Sequence, residues 1–236
     1  MKKGRRLCLA DVHGNYKALL QVLNKCNFDY KNDTLVCLGD IVDGYPDSKE
    51  VIDRLMMVEK LELVIGNHDM FFLDWLQIGD TKRLWLQQGG YATVKSFGIE
   101  SPLSGVIPNI DNKYKEFFKK AEPYKIIDNK LFVHGGYAWN RPIEKQDKHD
   151  LMWNRDLFYD ALSNDNHMYI YGIYDEIYIG HTTTQEFSLE PVNKHNVFML
   201  DQGAGYCGCL SIIDIDTKEY WISEPGNVLY EGYAHR

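Results

Sequence analysis

The chain has 236 residues, 44% hydrophobic and 25% charged, enough for one sizeable α/β core. No run approaches the ~18 apolar residues of a membrane span. A formal charge of −8 speaks against non-specific nucleic-acid binding, yet it suits a carboxylate cluster that holds cations.

The N-terminus is basic, but its apolar run breaks at Asp11, short of the ~7–15 residues of a signal-peptide core. Five cysteines, an odd number, do not read as a disulfide framework. A reduced, cytoplasmic protein with no membrane association is expected. Runs at 6–10, 34–38 and 61–65 are short, apolar and rich in Leu, Val and Ile, as buried strands are. Helical patterns follow each, at 15–25, 47–58 and 69–78. Asn15 suits the first N-cap, and Pro46 suits the first turn of the second helix. This alternation predicts βαβ units with a parallel sheet. From 69 to about 122 the chain reads as helices and loops, with Phe71, Phe72, Trp75, Trp85 and Tyr91. Strands resume at 126–133 and 176–180, and 196–223 looks like an antiparallel meander. There is no internal repeat or low-complexity tract.

The polar residues that punctuate this pattern are unusual. "LADVHGN" puts Asp11 and His13 just past the first strand, and "LGDIVDG" puts Asp40 and Asp43 past the second. "IGNHDM" puts Asn67, His68 and Asp69 past the third, while "FVHGG" and "IGHTT" end later strands at His134 and His181. Five strands thus deliver Asp, Asn or His at their carboxyl ends, the edge where open α/β sheets bind ligands. A lone Asp-x-His would pass for turn chemistry; five such corners imply one shared site. Carboxylate, imidazole and amide oxygen together suit Mn²⁺, Fe²⁺ or Zn²⁺. There are too many ligands for one ion, and a carboxylate such as Asp40 can bridge two, forming a clamp for in-line attack at phosphorus. Cys207 and Cys209, a C-x-C on a predicted strand, read as ordinary packing.

Asp-x-His, G-D-x-x-D, G-N-H-D, H-G-G and G-H, in this order from residue 11 to 181, resemble the calcineurin-like metallophosphoesterases, closest to the bacterial and phage phosphoprotein phosphatases. The resemblance implies an α/β fold, a central β-sandwich flanked by helices, with two divalent metals at one end, manganese first among them and iron or zinc as alternatives. It implies one domain over 1–236, with a helical, cap-like insertion at about 69–122. By resemblance, Asp11 and His13 hold the first metal, Asp40 bridges, and Asn67 and His134 hold the second. His181 matches the last metal-binding histidine. His68 would be the general acid and Asp43 the carboxylate that orients it. "LMWNRDL" resembles the segment that carries a phosphate-gripping arginine, here Arg155, with Asn67 also on the substrate; Arg141 in a second W-N-R is a weaker candidate. "LDQGAGYCG" resembles a late segment of the family, so Asp201 and Gly203 are taken as scaffolding near the metals.

One departure stands out. The family continues G-D-x-x-D-R-G-P, whereas Gly44 follows Asp43 here, so an arginine that would hold the substrate phosphate is missing; Tyr45 could offer a hydroxyl instead. The expected activity is phosphomonoester hydrolysis of the Ser/Thr protein phosphatase type, on a phosphoprotein or nucleotide. Symmetrical dinucleoside tetraphosphate hydrolysis, which aromatics at 71–91 would serve by stacking a base, polynucleotide phosphatase and phosphodiesterase activities remain open. So does a metal-bearing but inactive binding module.

Overall fold

The computed structural model describes residues 4–166 and 170–233. Its first half alternates strands β1 (Arg6–Leu9), β2 (Thr34–Cys37) and β3 (Lys60–Leu63) with helices α1 (Tyr16–Lys25), α2 (Ser48–Leu55) and α3 (Asn67–Ile78). Short helices α4 (Arg83–Trp85), α5 (Tyr91–Ser96) and α6 (Asn112–Phe118) follow, with a wide π-type turn, Leu86–Gly90, between the first two. Then come β4 (Tyr124–Ile127), β5 (Lys130–Val133), α7 (Lys148–Trp153), α8 (Asp156–Ser163) and β6 (Glu176–Ile179). β7 (Val192–Lys194), β8 (Val197–Met199), β9 (Ser211–Asp214), β10 (Tyr220–Ile222) and α9 (Gly226–Leu229) complete it.

The strands form two five-stranded sheets, ordered β10-β9-β1-β2-β3 and β4-β5-β6-β8-β7. The period of two explains why both faces are apolar. In β1, Leu7 and Leu9 pack with α1 and α2, while Cys8 turns to the other sheet. Cys8, Ala10, Val36 and Leu38 meet Phe132, Tyr178 and Leu200 between the sheets. There Phe132, Tyr178 and Phe198, direct neighbours on β5, β6 and β8, stack with centroids 4.8 and 4.7 Å apart. The second sheet's outer face carries Leu131, Val133, Ile177 and Ile179 against α7 and α8. The result is an α/β fold, two mixed sheets flanked by helices.

Local signals account for most boundaries. Asn15 caps α1, its Oδ1 accepting from Ala18 N at 3.0 Å, worth about 1 kcal/mol. Pro46 is a correction: α2 starts at Ser48, with Asp47 in the cap position, so Pro46 precedes the helix. The run 126–133 is a hairpin, β4 antiparallel to β5, turned at Asp128 and Asn129, both with positive φ. The 196–223 meander is also corrected. β8 runs parallel to β6 in the second sheet, whereas β9 and β10 form an antiparallel pair in the first. Cys207 is exposed in a turn rather than on a strand, and Cys209 is buried. Helices α3 to α6 bury Phe72, Trp75, Trp85, Val94 and Tyr114 in the core beneath the first sheet, which answers most of the 71–91 aromatics. Tyr91 stays about half exposed.

Candidate metal centre and active site

The parallel strands end together, and the loops beyond them are tied by backbone bonds. Asp11 N donates to Gly39 O, His13 N to Asp40 O and Gly14 N to Ile41 O, at 3.1, 2.9 and 2.8 Å. Asp11, His13, Asp40, Asp43 and His181 all hold φ between 50° and 72°. This left-handed region costs a non-glycine residue roughly 1–2 kcal/mol, and among the described residues five of the ten non-glycines that adopt it are ones the motifs single out. Two glycines clear their space. A Cβ at Gly66 would lie 2.2 Å from Asp40 Oδ1, and one at Gly180 would lie 2.0 Å from Asp11 Oδ2.

Backbone carbonyls aim the imidazoles. His13 Nδ1 lies 3.2 Å from Val42 O and His134 Nδ1 lies 2.7 Å from Leu38 O, which turns each Nε2 toward the carboxylates. His134 Nε2 is 3.3 Å from Asp40 Oδ2 and 3.2 Å from Asn67 Oδ1. His13 Nε2 is 3.7 Å from Asp40 Oδ2 and 3.9 Å from Asp11 Oδ1. Asp40 belongs to two donor triplets, with His13 and His68 and with His134 and His181; within each, all ligand atoms lie within 4.8 Å. A cavity of about 120 Å³ opens here, lined by His13, Asp40, Asn67, His68, Arg155 and His181 among others. Larger hollows exist, one of about 460 Å³ beside Arg5 and Trp221, but none gathers such a donor set among the described residues.

Electrostatics tests whether these residues suit cations. Burial pushes the Asp11 carboxyl well up, with Asp201 and Asp40 adding like charge. Burial also pushes Asp201 up to about 6 and, with Asp40, Asp69 up to about 7. Burial acts the same way on Asp40, but the imidazoles of His134 and His68 override it and hold that carboxyl well below its usual range. His134 is the converse: burial would lower it, and Asp40 raises it to about 10. Burial and neighbouring His134 push His181 down to about 3, and its buried Nε2 has no hydrogen-bond partner among the described residues. Crowded carboxylates and an orphaned imidazole nitrogen are what divalent cations would relieve. The donor set fits divalent cations, and Asp40 belongs to both groups that could hold one.

His68, a member of the first triplet, is also held from behind. Its Nδ1 lies 2.6 Å from Asp43 Oδ2, leaving Nε2 toward the cavity. Its backbone N–H, at the start of α3, donates to Asp40 Oδ1 at 2.9 Å. Asp69 ties the loops, accepting from Ile41 N and Gly66 N at 2.8 and 3.1 Å. Arg155 reaches the cavity from the other side, its Nη1 donating to Thr182 Oγ1 and His181 O at 2.9 and 3.2 Å. Asp201 lines the cavity, and its Oδ1 accepts from Gly203 N. Two candidates fall elsewhere. Arg141 lines a neighbouring groove with His149 and Trp153 instead, and the Tyr45 hydroxyl donates to Tyr206 O at 2.6 Å.

Sequence reading missed Trp153, Thr183 and Tyr206, which line the cavity, and three side chains from 85–93. Gln88 lines the cavity, and Trp85 and Thr93 contact Asp43. For these last three the available signal was Gly89-Gly90, a break in an otherwise helical stretch.

A model of the calcineurin-like phosphoesterases matches residues 4–198, and the chain belongs to that family. This places it among metal-dependent phosphoester hydrolases. Over 209 residues it is 24% identical to serine/threonine-protein phosphatase 1 of Salmonella typhimurium, covering 88% of this chain and 90% of that one. A 66-residue stretch is 47% identical to the symmetrical bis(5'-nucleosyl)-tetraphosphatase of Proteus mirabilis, covering 28% of this chain and only 24% of that protein. Among solved structures, a candidate diadenosine tetraphosphatase superposes with a TM-score of 0.67 at 20% identity, over 95% of this chain and 94% of that one. A cold-active protein-tyrosine phosphatase from a psychrophilic Shewanella gives 0.58 at 14%, over 94% and 81%. These structures share the fold.

Proposed function

We propose that the chain is a dinuclear-metal phosphomonoesterase of the Ser/Thr protein phosphatase type. The observation that carries this is the pair of donor triplets sharing Asp40, one of which contains the His68 imidazole, with Arg155 lining the same cavity. Asp11, His13, Asp40, Asn67, His134 and His181 would hold two ions, Mn²⁺ first by ligand type. Bound there, the ions would neutralise phosphoryl charge and acidify a water for attack. Arg155 holds the phosphoryl oxygens, and the Asn67 amide helps to orient them. His68 gives its Nε2 proton to the departing oxygen, and Asp43 keeps the ring turned toward it. The segment 69–122 acts as a cap-like insertion in a single domain, contributing Gln88 to the cavity wall. Four buried cysteines and an exposed Cys207, all free, fit a reducing cytoplasm.

A second reading, symmetrical dinucleoside tetraphosphate hydrolysis, is favoured by the 47% identity across 66 residues. A screen of phosphopeptides, diadenosine tetraphosphate and cyclic nucleotides with Mn²⁺ separates the two. Fastest turnover of phosphopeptides is the expected result. Preference for the tetraphosphate would replace the first reading with the second, and no turnover of any would leave a metal-bearing binding module.

A further inference from the structure

The Asp43 carboxylate is fully buried, yet every donor that meets it is accounted for. Oδ2 receives His68 Nδ1 at 2.6 Å and the Trp85 indole Nε1 at 2.9 Å. Oδ1 receives the Thr93 hydroxyl at 2.6 Å and the same indole at 3.1 Å. The Thr93 oxygen in turn accepts the Asp43 backbone N–H at 2.8 Å and lies 3.0 Å from Ser48 Oγ. Thr93 therefore holds Asp43 at both ends, main chain and carboxylate. Trp85 and Thr93 are both fully buried, so solvent does not compete for these bonds.

We infer that Trp85 and Thr93 are positioning residues for proton delivery, fixing Asp43 so that His68 presents Nε2 to the leaving oxygen. This rests on the general-acid role of His68 proposed above. The physical reason is geometric. Asp43 sits at φ 72°, a strained backbone that needs outside contacts to hold it, and a carboxylate with one partner could rotate away from the imidazole. An indole N–H shared between both oxygens and a hydroxyl on Oδ1 fix its plane. The turn between them, Leu86–Gly90, breaks helical geometry at Gln88 and Gly89, which lets one short segment supply both donors. Trp85 touches no substrate in this arrangement. It acts through Asp43.

The test uses the Mn²⁺-loaded 236-residue chain with two monoesters, phenyl phosphate (a poor leaving group) and 2,4-dinitrophenyl phosphate (a good one). Thr93→Val and Trp85→Phe should lower kcat for phenyl phosphate by about 10-fold and for the dinitrophenyl ester by less than about 3-fold, a fraction of the usual general-acid contribution. Thr93→Ser, which keeps the hydroxyl, should recover most of the loss. Combined with His68→Asn, neither change should cost phenyl phosphate turnover further. The low-field proton resonance of the His68–Asp43 bond, absent in His68→Asn, should be lost or broadened in Thr93→Val of the protein loaded with diamagnetic Zn²⁺. Trp85→Phe also removes core volume, so Thr93→Val against Thr93→Ser decides. Equal losses on both esters, or full additivity with His68→Asn, would overturn the inference while leaving the general acid in place. If His68→Asn itself affects both esters equally, the general-acid reading falls and this inference with it.

Discussion

The two walls of the cavity are built in opposite ways. On one, His68 is backed by a buried carboxylate whose partners, Trp85 and Thr93, come from a single short segment. On the other, Arg155 is exposed and held by one nitrogen, Nη1, on Thr182 and on the carbonyl of His181. A proton must leave from one fixed point, so its donor is locked. A phosphate presents several charged oxygens, so a guanidinium on a long, exposed side chain can adjust until two parallel bonds form. The metal floor between the walls serves both, which ranks the expected effects.

Removing the floor should cost most. Chelator should abolish turnover, and Mn²⁺ should restore it. Elemental analysis should find about two ions per chain. Binding should also stabilise the fold, by roughly 2.7 kcal/mol per ion at a hundredfold excess over Kd, since only the folded chain brings Asp11, Asp40 and Asp201 together. Asp40→Asn should shrink that thermal shift along with activity. A single tightly held ion with full activity would remove the bridging role.

Next comes the locked wall. His68→Asn should keep its metal and lower kcat for phenyl phosphate by roughly 10²–10⁴-fold. Arg155→Ala should have a smaller effect and a different signature. A charge-assisted bond is worth about 1.5–3 kcal/mol, and exposure discounts it, so kcat/KM should fall by about 10-fold, mostly through KM. In the proposed reading Arg155 meets the phosphate and not the leaving oxygen, so that loss should be the same for good and poor leaving groups. A loss confined to poor leaving groups would erase the contrast between the walls.

The sequence makes the floor legible and hides the wall behind it. Asp11, Asp40, Asn67, His134 and His181 stand at strand ends, where apolar runs give way to chemistry, so position alone betrays them. Trp85 carries no such mark. A tryptophan in a helical stretch reads as core, and it is core; the indole N–H that reaches Asp43 is seen only once the Gly89-Gly90 turn is folded. Pairing direction was hidden for a similar reason. Strands of three or four residues, such as β8, take their partner from tertiary contact, so β8 joins β6 while β9 crosses to β1. The hairpin at 128–129 was closer to the surface of the sequence, since Asp-Asn admits the positive φ that a tight turn requires.

The smallest effect concerns the arginine missing at 44. Gly44 holds φ 88°, donates to Gly89 O at 3.4 Å and accepts from the Tyr233 hydroxyl at 3.1 Å. A side chain there should cost about 1–2 kcal/mol, so Gly44→Ala and Gly44→Arg should both lower Tm by roughly 2–8 °C. Restoring the cation at 44 is therefore a poor test of its absence. Gln88 offers a better position, since its backbone (φ −94°, ψ 25°) admits any L-residue and its side chain already faces the cavity. Gln88→Arg should favour phenyl phosphate over bis(4-nitrophenyl) phosphate by about 3–10-fold, because a monoester dianion offers more charged oxygens to a guanidinium. Tm should stay near the parent value. If the ester ratio does not move while the fold stays intact, the 86–90 turn does not reach the phosphate, and Arg155 grips it alone.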